Sequence, residues 1–446
     1  MADVTELSAA ETGRRIETSA LDAREATEAY LAAIEAHPAR DRIFVRVHAE
    51  SARAEAAAAA ARAKAGLRRS PLDGVPISWK DLFDWAGQPT ESGSRMLAGR
   101  IPVRDAKVLA NGRAAGTVAL GQTHQTELAF SGLGINPVTA TPPNRFDPAR
   151  APGGSSSGAA TSVGFGLSAA GIGSDTGGSV RLPSAWNSLV GLKTTWGRVP
   201  SEGVVLLAEG YDTIGPLCRT VEDANLLLAM LEAGRPADLS GASLAGARLA
   251  VLETVALDAE CRDAPRAAFE AGVAALAAAG ANVERIEAPE VPAILALSGA
   301  LITAEAWAEW GEAIEAKGGL MYPPIRERFR AGGAVSAAEH LRAMRKRSAL
   351  RAAFWDRVSA YDAVLLPSSP ILPPVVSEML ADEALFASEN LLALRNTRIG
   401  NLLGACAITL PTAAKMCGLM AMAAPFAEGA LLRLAAAAEP AVAAAG

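Results

Sequence analysis

The sequence predicts an α/β fold in which helices cover both faces of a sheet. Between residues 75 and 234, short apolar runs alternate with helical stretches and Gly-rich turns, as strand–helix–strand units do. The same alternation returns at residues 248–286. Two late apolar runs, 405–411 and 419–423, are typical of strands that return to the sheet.

The first half of the chain supplies the elements in a regular order. Apolar residues recur at helical spacing in 23–37, and 41–65 is rich in Ala, Arg and Glu, so both segments are predicted to be helical. The next predicted elements are a strand at 75–79, a helix at 105–115, a strand at 117–121, a helix at 156–167 and a strand at 168–173.

The second half begins after a segment, 236–245, that resembles a linker. We predict a strand at 248–252, a helix at 264–279, a strand at 282–286, a mostly helical stretch at 291–359 with a Gly-Gly break, a strand at 363–366 and a Pro-rich loop at 367–374. We find no internal repeat.

Charge and cysteine usage exclude several classes of protein. The 42 basic and 48 acidic side chains give a net charge of −6, which disfavours non-specific nucleic-acid binding. Because the four cysteines are scattered and no HExxH motif occurs, we expect neither a disulfide framework nor a metal site. The start of the chain shows no secretory signal, and 405–427 is a poor membrane span. We therefore expect a cytoplasmic protein without membrane partners.

Residues 151–183 carry the strongest chemical signal. Two Gly/Ser-rich turns, 153–158 and 176–179, flank a predicted helix and strand. A flexible linker would not be interrupted by an ordered apolar stretch. A phosphate-binding loop is also disfavoured, because the Gly-Phe-Gly at 164–166 closes a helix and no Walker pattern occurs.

A nucleophile site is the remaining interpretation. Ser179 follows two glycines, whose N–H groups could converge on a developing oxyanion. No histidine lies near these motifs and no GxSxG elbow surrounds Ser179, so a buried lysine is the alternative base. Lys80, at the end of the apolar strand 75–79, is the candidate.

Six segments then show a resemblance to a known family. They are GVPISWKD (74–81), PGGSSSG (152–158), GSDTGGSVRLP (173–183), GLK (191–193), GPLCRTVED (215–223) and RNTRIGNLLGACAITLP (395–411). In order and spacing they resemble the amidase signature family of hydrolases, chiefly its stand-alone bacterial amidases and more distantly the glutaminase subunit of glutamyl-tRNA amidotransferase.

The resemblance implies the amidase signature fold, with a large twisted mixed central sheet. It divides the chain into an N-terminal helical segment (1–65), a core with the catalytic residues (66–235), an α/β and helical insertion that lines the substrate pocket (236–360) and C-terminal strands with a helix (361–446).

The resemblance also implies a Ser-cisSer-Lys triad. Ser179 would be acylated, and Ser155, after a cis peptide bond to Gly154, would relay a proton to Lys80. The oxyanion hole would consist of the N–H groups of Thr176, Gly177, Gly178 and Ser179, with both glycines in conformations that most residues avoid. No metal or organic cofactor is implied. Asp175 and Arg181 are expected to be structural, and Asp81 a cap or brace.

The substrate pocket is less well defined. By analogy with relatives, its predicted wall is apolar and partly aromatic, and contains Phe130, Leu206, Leu207, Tyr211, Trp307, Trp310, Met321 and Tyr322. Trp307 and Trp310 could equally form a helix stripe that faces the core. The family pattern GLPxGxQ is absent from 418–424, so we expect an unusual pocket wall at these positions.

Three functions remain open at this point. The first is a stand-alone hydrolase of small hydrophobic or aryl amides, with esters and carbamates as further substrates, acting as a monomer or homodimer. The second is the glutaminase subunit of a tRNA-dependent amidotransferase, which Arg395-Asn396-Thr397-Arg398 disfavours because the tyrosine-containing stretch associated with that subunit is missing. The third, an inactive scaffold, is disfavoured by the intact triad.

Overall fold

One mixed sheet of eleven strands organises the computed structural model, which describes residues 4–445. The strands are β1 (Phe44–Val47), β2 (Pro76–Lys80), β3 (Val118–Thr123), β4 (Ala170–Asp175), β5 (Val190–Lys193), β6 (Thr213–Cys218), β7 (Arg248–Leu252), β8 (Asn282–Ile286), β9 (Ala363–Pro367), β10 (Cys406–Pro411) and β11 (Gly418–Ala423). Their order is β1-β3-β2-β4-β6-β5-β10-β11-β9-β7-β8. β2 pairs in parallel with β3 and β4, and β7 pairs in parallel with β8 and β9.

Seventeen α-helices surround the sheet within the described range. They are α1 (Ala9–Glu17), α2 (Ala23–Ala36), α3 (Arg40–Ile43), α4 (Ala49–Lys64), α5 (Lys107–Ala115), α6 (Ser157–Gly164), α7 (Arg181–Trp186), α8 (Val221–Leu231), α9 (Asp263–Ala278), α10 (Glu290–Leu295), α11 (Ala304–Lys317), α12 (Pro323–Gly333), α13 (Ala337–Arg357), α14 (Val376–Ala381), α15 (Glu383–Ala393), α16 (Arg395–Leu403) and α17 (Glu428–Ala444). Two of them, α8 and α13, begin with capping boxes built on Thr220 and Ser336.

Both faces of the central sheet are covered, as predicted. Every residue of β2, β3, β4 and β6 is buried. Because successive side chains of a strand point to opposite faces, complete burial requires packing on both sides. The α/β class and the mixed sheet are therefore confirmed.

Local patterns predict most of the strands but miss three. The bounds of β7 and β8 are those predicted, whereas β1, β5 and β6 are not among the predicted strands. β1 lies inside a segment predicted to be helical and forms by pairing with β3 at the sheet edge. β6 contains Gly215 and Pro216, which disfavour strand formation in isolation. Gly215 is required there because a Cβ would lie 1.9 Å from the carbonyl oxygen of Leu192.

The apolar segment 405–427 forms the hairpin of β10 and β11 inside the sheet. Among the described residues, Glu290–Leu320 is the helical stretch whose length and mean hydropathy, 1.5, would suffice to cross a membrane. Within that stretch α11 packs against α12, and Ala306 and Ile314 are buried.

The sheet runs across all three predicted segment boundaries. β1 and β2 flank the boundary at 65, β6 and β7 the one at 235, and β8 and β9 the one at 360. The division into four segments stays a prediction about how the chain is organised.

The parallel pairing of β2 and β4 positions the candidate site. Trp79 lies opposite Ile172, so both strands end at the same edge of the sheet. Lys80 is the last residue of β2, and Ser174 and Asp175 are the last two residues of β4. Polar residues from two distant parts of the sequence therefore lie close together at this edge of the sheet.

Candidate active site

Lys80 lies at this edge of the sheet, fully buried. Its Nζ donates to Ser155 Oγ at 2.7 Å and to Ser174 Oγ at 2.8 Å. Burial lowers the pKa of Lys80 to about 7, although Asp212 and Asp175 oppose the shift. Burial thus favours the neutral amine, which can accept a proton.

Close backbone packing holds Ser155 beside Lys80. The peptide bond between Gly154 and Ser155 is cis, as the family resemblance implies. Gly154 N–H donates to Gly132 O at 2.6 Å, and a Cβ on Gly154 would lie 2.7 Å from the backbone of Gly134. Thr126 N–H donates to Ser155 O at 3.1 Å. Only glycine fits between these two backbone segments.

Ser179 lies in the turn between β4 and α7. Ser156 N–H donates to Ser179 O at 3.3 Å, which places the two serine segments side by side. The side chain of Ser179 is 4% exposed and lines a cleft. Its hydroxyl makes no hydrogen bond to another of the residues 4–445 that the structure describes. The structure thus brings Lys80, Ser155 and Ser179 into one neighbourhood.

A buried ion pair of Asp175 and Arg181 holds the turn. Both side chains are inaccessible to solvent, and Arg181 Nη2 lies 2.9 Å from Asp175 Oδ1. Arg181 also donates to Asn401 Oδ1 and Thr397 O on α16. Burial by itself would raise the pKa of Asp175, but the charge and hydrogen bonds of Arg181 hold it well below its usual range. The turn is therefore tied to α16 by charged groups.

One of the four amides predicted for the oxyanion hole already has a hydrogen-bond partner. Gly178 N–H donates to Asp175 Oδ1 at 2.9 Å. The N–H groups of Thr176, Gly177 and Ser179 make no hydrogen bond within the described residues. The predicted hole stays a prediction, and these three amides are the donors that the turn leaves available. The sequence predicts Asp175 only as a brace, and no local pattern indicates that its carboxylate takes one of the four amides.

Only one of the two glycines has the conformation expected of both. Gly178 has a φ of +136°, which L-residues rarely adopt, and a Cβ there would lie 2.1 Å from Thr397 Oγ1. Gly177 has no positive φ, and a Cβ there would meet nothing within 4 Å. The close approach of α16, and not the oxyanion geometry alone, requires glycine at position 178.

The cleft beside Ser179 is narrow, with a cavity volume of about 30 Å³. Its walls are formed by Ala129, Phe130, Ser131, Thr176, Gly177, Ser179, Leu207, Ile302, Arg328, Leu394 and Arg398. Two of the eight predicted pocket residues, Phe130 and Leu207, are among them. The other six lie outside this lining.

Those six residues make their contacts elsewhere in the fold. Trp310 Nε1 donates to Leu206 O at 2.8 Å, and the Tyr211 hydroxyl accepts from Arg347. Tyr322 N–H donates to Glu127 Oε2 at 2.9 Å. Trp307 packs against the glycines of α11 and α12, and Met321 is buried in the core.

Four polar residues of the site are absent from the sequence-based prediction: Ser174, Asp212, Arg328 and Arg398. Ser174 and Arg398 lie inside segments that carry the family resemblance. Asp212 accepts from Thr176 Oγ1 and from the N–H groups of Leu207 and Ala208, and burial raises its pKa to about 6. Arg328 occurs in the charged run Arg-Glu-Arg-Phe-Arg of α12, which is typical of a solvated helix face.

Asp81 lies beside the site but supports the sheet. It accepts from Gln122 Nε2 at 3.0 Å and faces Arg46 at 3.6 Å, and burial raises its pKa to about 7. The unusual segment 418–424 contains the whole of β11, and none of its residues lines the cleft. Met420 Sδ in this segment is 3.2 Å from Arg181 Nη1. The residues that differ from the family pattern therefore contact the buried ion pair of Asp175 and Arg181.

Comparisons with known proteins identify the family of this chain. The family described as Amidase matches residues 25–432. The 2-amino-5-chloromuconic acid deaminase of Comamonas testosteroni is 36% identical over 405 residues, covering 86% of this chain and 85% of the relative. A glutamyl-tRNA(Gln) amidotransferase subunit from Anaeromyxobacter sp. (strain K) is 41% identical over 233 residues, covering 52% of this chain and 47% of that relative. A solved amidase structure superimposes with a TM-score of 0.88 at 28% identity, covering 98% of this chain and 100% of that one.

Replacing Asp175 by Asn should destabilise the protein strongly. Arg181 would then be a buried charge without a carboxylate partner, which costs about 3–5 kcal/mol. Urea unfolding monitored by fluorescence measures the loss. The matched control is Glu28→Gln, which removes an exposed ion pair with Arg53 and should leave the midpoint unchanged. Equal midpoints for the two variants would contradict the proposed brace.

Gly178→Ala and Gly177→Ala form a second matched pair. Alanine at 178 would have an unfavourable positive φ, and its Cβ would clash with Thr397. The backbone strain alone costs about 1–3 kcal/mol. Alanine at 177 has open space and should unfold at the wild-type urea concentration. A Gly178→Ala protein as stable as Gly177→Ala would show that α16 does not constrain the turn.

Proposed function

The chain belongs to the amidase signature family and is a hydrolase of carbon–nitrogen bonds, and we propose that it acts through a triad of Ser179, Ser155 and Lys80. The observation that carries the proposal is the buried contact between Lys80 Nζ and Ser155 Oγ beside the Ser179 turn. A lysine of lowered pKa, a hydroxyl that relays a proton and a hydroxyl that opens onto a cleft are the parts that acyl transfer requires.

Acylation begins with attack of Ser179 Oγ on the substrate carbonyl carbon. The proton of Ser179 passes to Ser155 Oγ, and the proton of Ser155 passes to neutral Lys80 Nζ. The carbonyl oxygen becomes an oxyanion, which the N–H groups of Thr176, Gly177 and Ser179 stabilise. Collapse of this intermediate expels the amine, which takes up the proton that returns from Lys80 through Ser155.

Deacylation repeats the same proton path with water as the nucleophile. Water loses its proton to Lys80 through Ser155, attacks the ester of Ser179 and releases the carboxylic acid. Ser179 recovers its proton as the second intermediate collapses. Amides, esters and carbamates all present an acyl carbon to this chemistry, so all three are candidate substrates.

The cleft favours small acyl groups with an apolar body. Five lining residues are apolar: Ala129, Phe130, Leu207, Ile302 and Leu394. This wall supports the proposal of hydrophobic or aryl amides. The Comamonas relative is named as a deaminase of 2-amino-5-chloromuconic acid, which is a small molecule. We therefore propose that the substrate is a small molecule and that its hydrolysis requires no metal or organic cofactor.

The glutaminase subunit of a tRNA-dependent amidotransferase is the second candidate. Its identity to this chain is higher than that of the deaminase but extends over about half of the residues. Purified protein that releases ammonia from L-glutamine and hydrolyses no other amide would favour this candidate.

Cellular location and assembly also stay proposals. Cys218, Cys261, Cys406 and Cys417 are unpaired and buried, which supports a reducing, cytoplasmic location. We propose a monomer or homodimer, and light scattering of the purified protein distinguishes the two.

Removal of any triad group should abolish amide hydrolysis. Ser179→Ala and Lys80→Met should each lower kcat by about 10³-fold or more, since nucleophile and base act as a unit. The matched control is Ser157→Ala, because the Ser157 hydroxyl donates only to the carbonyl of His124. That variant should keep activity within a few-fold. Turnover of a 4-nitroanilide measures all three, and wild-type activity of Ser179→Ala would refute the proposal.

Activity should rise with pH through the titration of Lys80. The neutral amine is the active form, so kcat/KM falls about tenfold for each pH unit below the pKa of about 7 and levels off above pH 8. A profile that is flat or falls between pH 6 and 9 would exclude Lys80 as the base.

Asp212→Asn tests the assignment of that titration. The carboxylate of Asp212 opposes the lowering of the Lys80 pKa. Its removal should therefore move the midpoint of the kcat/KM profile to lower pH. A midpoint that stays in place would assign the titration to another group.

A further inference from the structure

Two arginines line the cleft that Ser179 opens onto. Arg328 lies on α12 and Arg398 on α16, and both contribute to the same wall as Phe130 and Leu394. The other nine lining residues are uncharged. The cleft is therefore an apolar space with two positive charges.

Neither guanidinium has an acidic partner among the residues that the structure describes. Arg328 Nη1 donates to Phe130 O at 2.8 Å, and its guanidinium stacks 4.2 Å from the Phe130 ring centre. Arg398 Nη2 donates to Leu391 O at 2.8 Å, while its buried Nε has no partner. Each side chain thus keeps N–H donors that no described group uses.

A neighbouring arginine shows the contrast. Arg395, one turn before Arg398 on α16, faces both Asp258 and Glu260 within 2.9 Å. Burial and the charge of Arg398 lower the pKa of Arg328 to about 9, and burial and the charge of Arg395 lower that of Arg398 to about 10. The two arginines that line the cleft therefore differ from Arg395 in having no acidic partner within the described range, a property that they share with Arg351 outside the cleft.

Like charges without a counter-ion are unfavourable in a partly buried cleft, and an anion between them would relieve the cost. Guanidinium groups bind carboxylates through paired N–H donors. The site described above places the scissile carbonyl at Ser179, so an anion at the arginines would belong to another part of the same small substrate.

We propose that Arg328 and Arg398 bind a carboxylate of the substrate, and that the enzyme hydrolyses monoamides of dicarboxylic acids. This inference rests on the proposed function of Ser179. The apolar wall then contacts the carbon chain between the scissile amide and the carboxylate. The sequence predicts uncharged hydrophobic amides as substrates. The proposal replaces them with amides that have an apolar carbon chain and a carboxylate at the end opposite the amide.

Matched substrate pairs test the inference. Succinamate, glutaramate and adipamate each have a neutral counterpart of similar length: butyramide, valeramide and hexanamide. Wild-type kcat/KM should favour at least one anionic amide by about 10–100-fold, as expected when charged hydrogen bonds are gained. Arg328→Gln and Arg398→Gln should each remove most of that preference, because kcat/KM should fall much more for the anionic amides than for their neutral counterparts.

Arg326→Gln is the matched control on the same helix. Arg326 pairs with Glu327 and does not line the cleft, so its replacement should leave the preference intact. Thermal unfolding of all variants identifies any that fail to fold. A wild-type enzyme that prefers the neutral amides, or cleft variants that lose both substrate classes equally while folded, would overturn the inference.

A binding measurement tests the carboxylate site independently of the proposed hydrolysis by Ser179. Calorimetry of Ser179→Ala with glutarate and adipate needs no turnover, and the Kd of the better ligand should rise about tenfold or more in the Arg328→Gln and Arg398→Gln backgrounds. No binding of either dicarboxylate would reject the carboxylate site even if amides are hydrolysed. Binding without any Ser179-dependent hydrolysis would reject the proposed function and retain the site.

Discussion

The burial of one amine at the edge of the sheet is the constraint on which the site depends. Lys80 ends a strand whose five residues are all buried, and among the described residues its Nζ meets only hydroxyl groups at hydrogen-bond distance. In water the lysine would stay protonated and could not take a proton from a serine. The parallel pairing of β2 with β4 removes that water and brings the lysine to the serine turns. The fold thereby makes Lys80 a candidate base, the role that the proposed function gives it.

Tight backbone packing then determines where the hydroxyl groups lie. The segment of Ser155 passes within van der Waals distance of the chain at Gly134, and the Ser179 turn is held against α16 by the Asp175–Arg181 pair. Asp175 also accepts from the N–H of Gly178, so the carboxylate that holds the turn occupies one of the four amides predicted for the oxyanion hole. In the proposed mechanism, the stability of the turn and its chemistry therefore depend on the same side chain.

The sequence predicts candidate catalytic residues best where they occur in short, unusual motifs. Ser179 and Lys80 occur in Gly-rich and apolar segments whose local pattern is unusual, so both can be proposed from the residues themselves, whereas Ser155 is proposed through the family resemblance. Asp212 and Arg328 cannot, because their roles arise from contacts with residues that are distant in the chain. The strands β5 and β6 escape prediction for a related reason: their pairing with β10 and β4 outweighs weak local strand preference.

A serine-directed fluorophosphonate tests the central claim most directly, because it reports the nucleophile and its base in one experiment. Peptide mass spectrometry after labelling locates the adduct, and the labelling rate is compared between the wild type and Lys80→Met. The account predicts one adduct per chain, on the peptide that contains Ser179, and little or no labelling of the variant in the same time. An adduct on another residue, or equal labelling rates for both proteins, would contradict it.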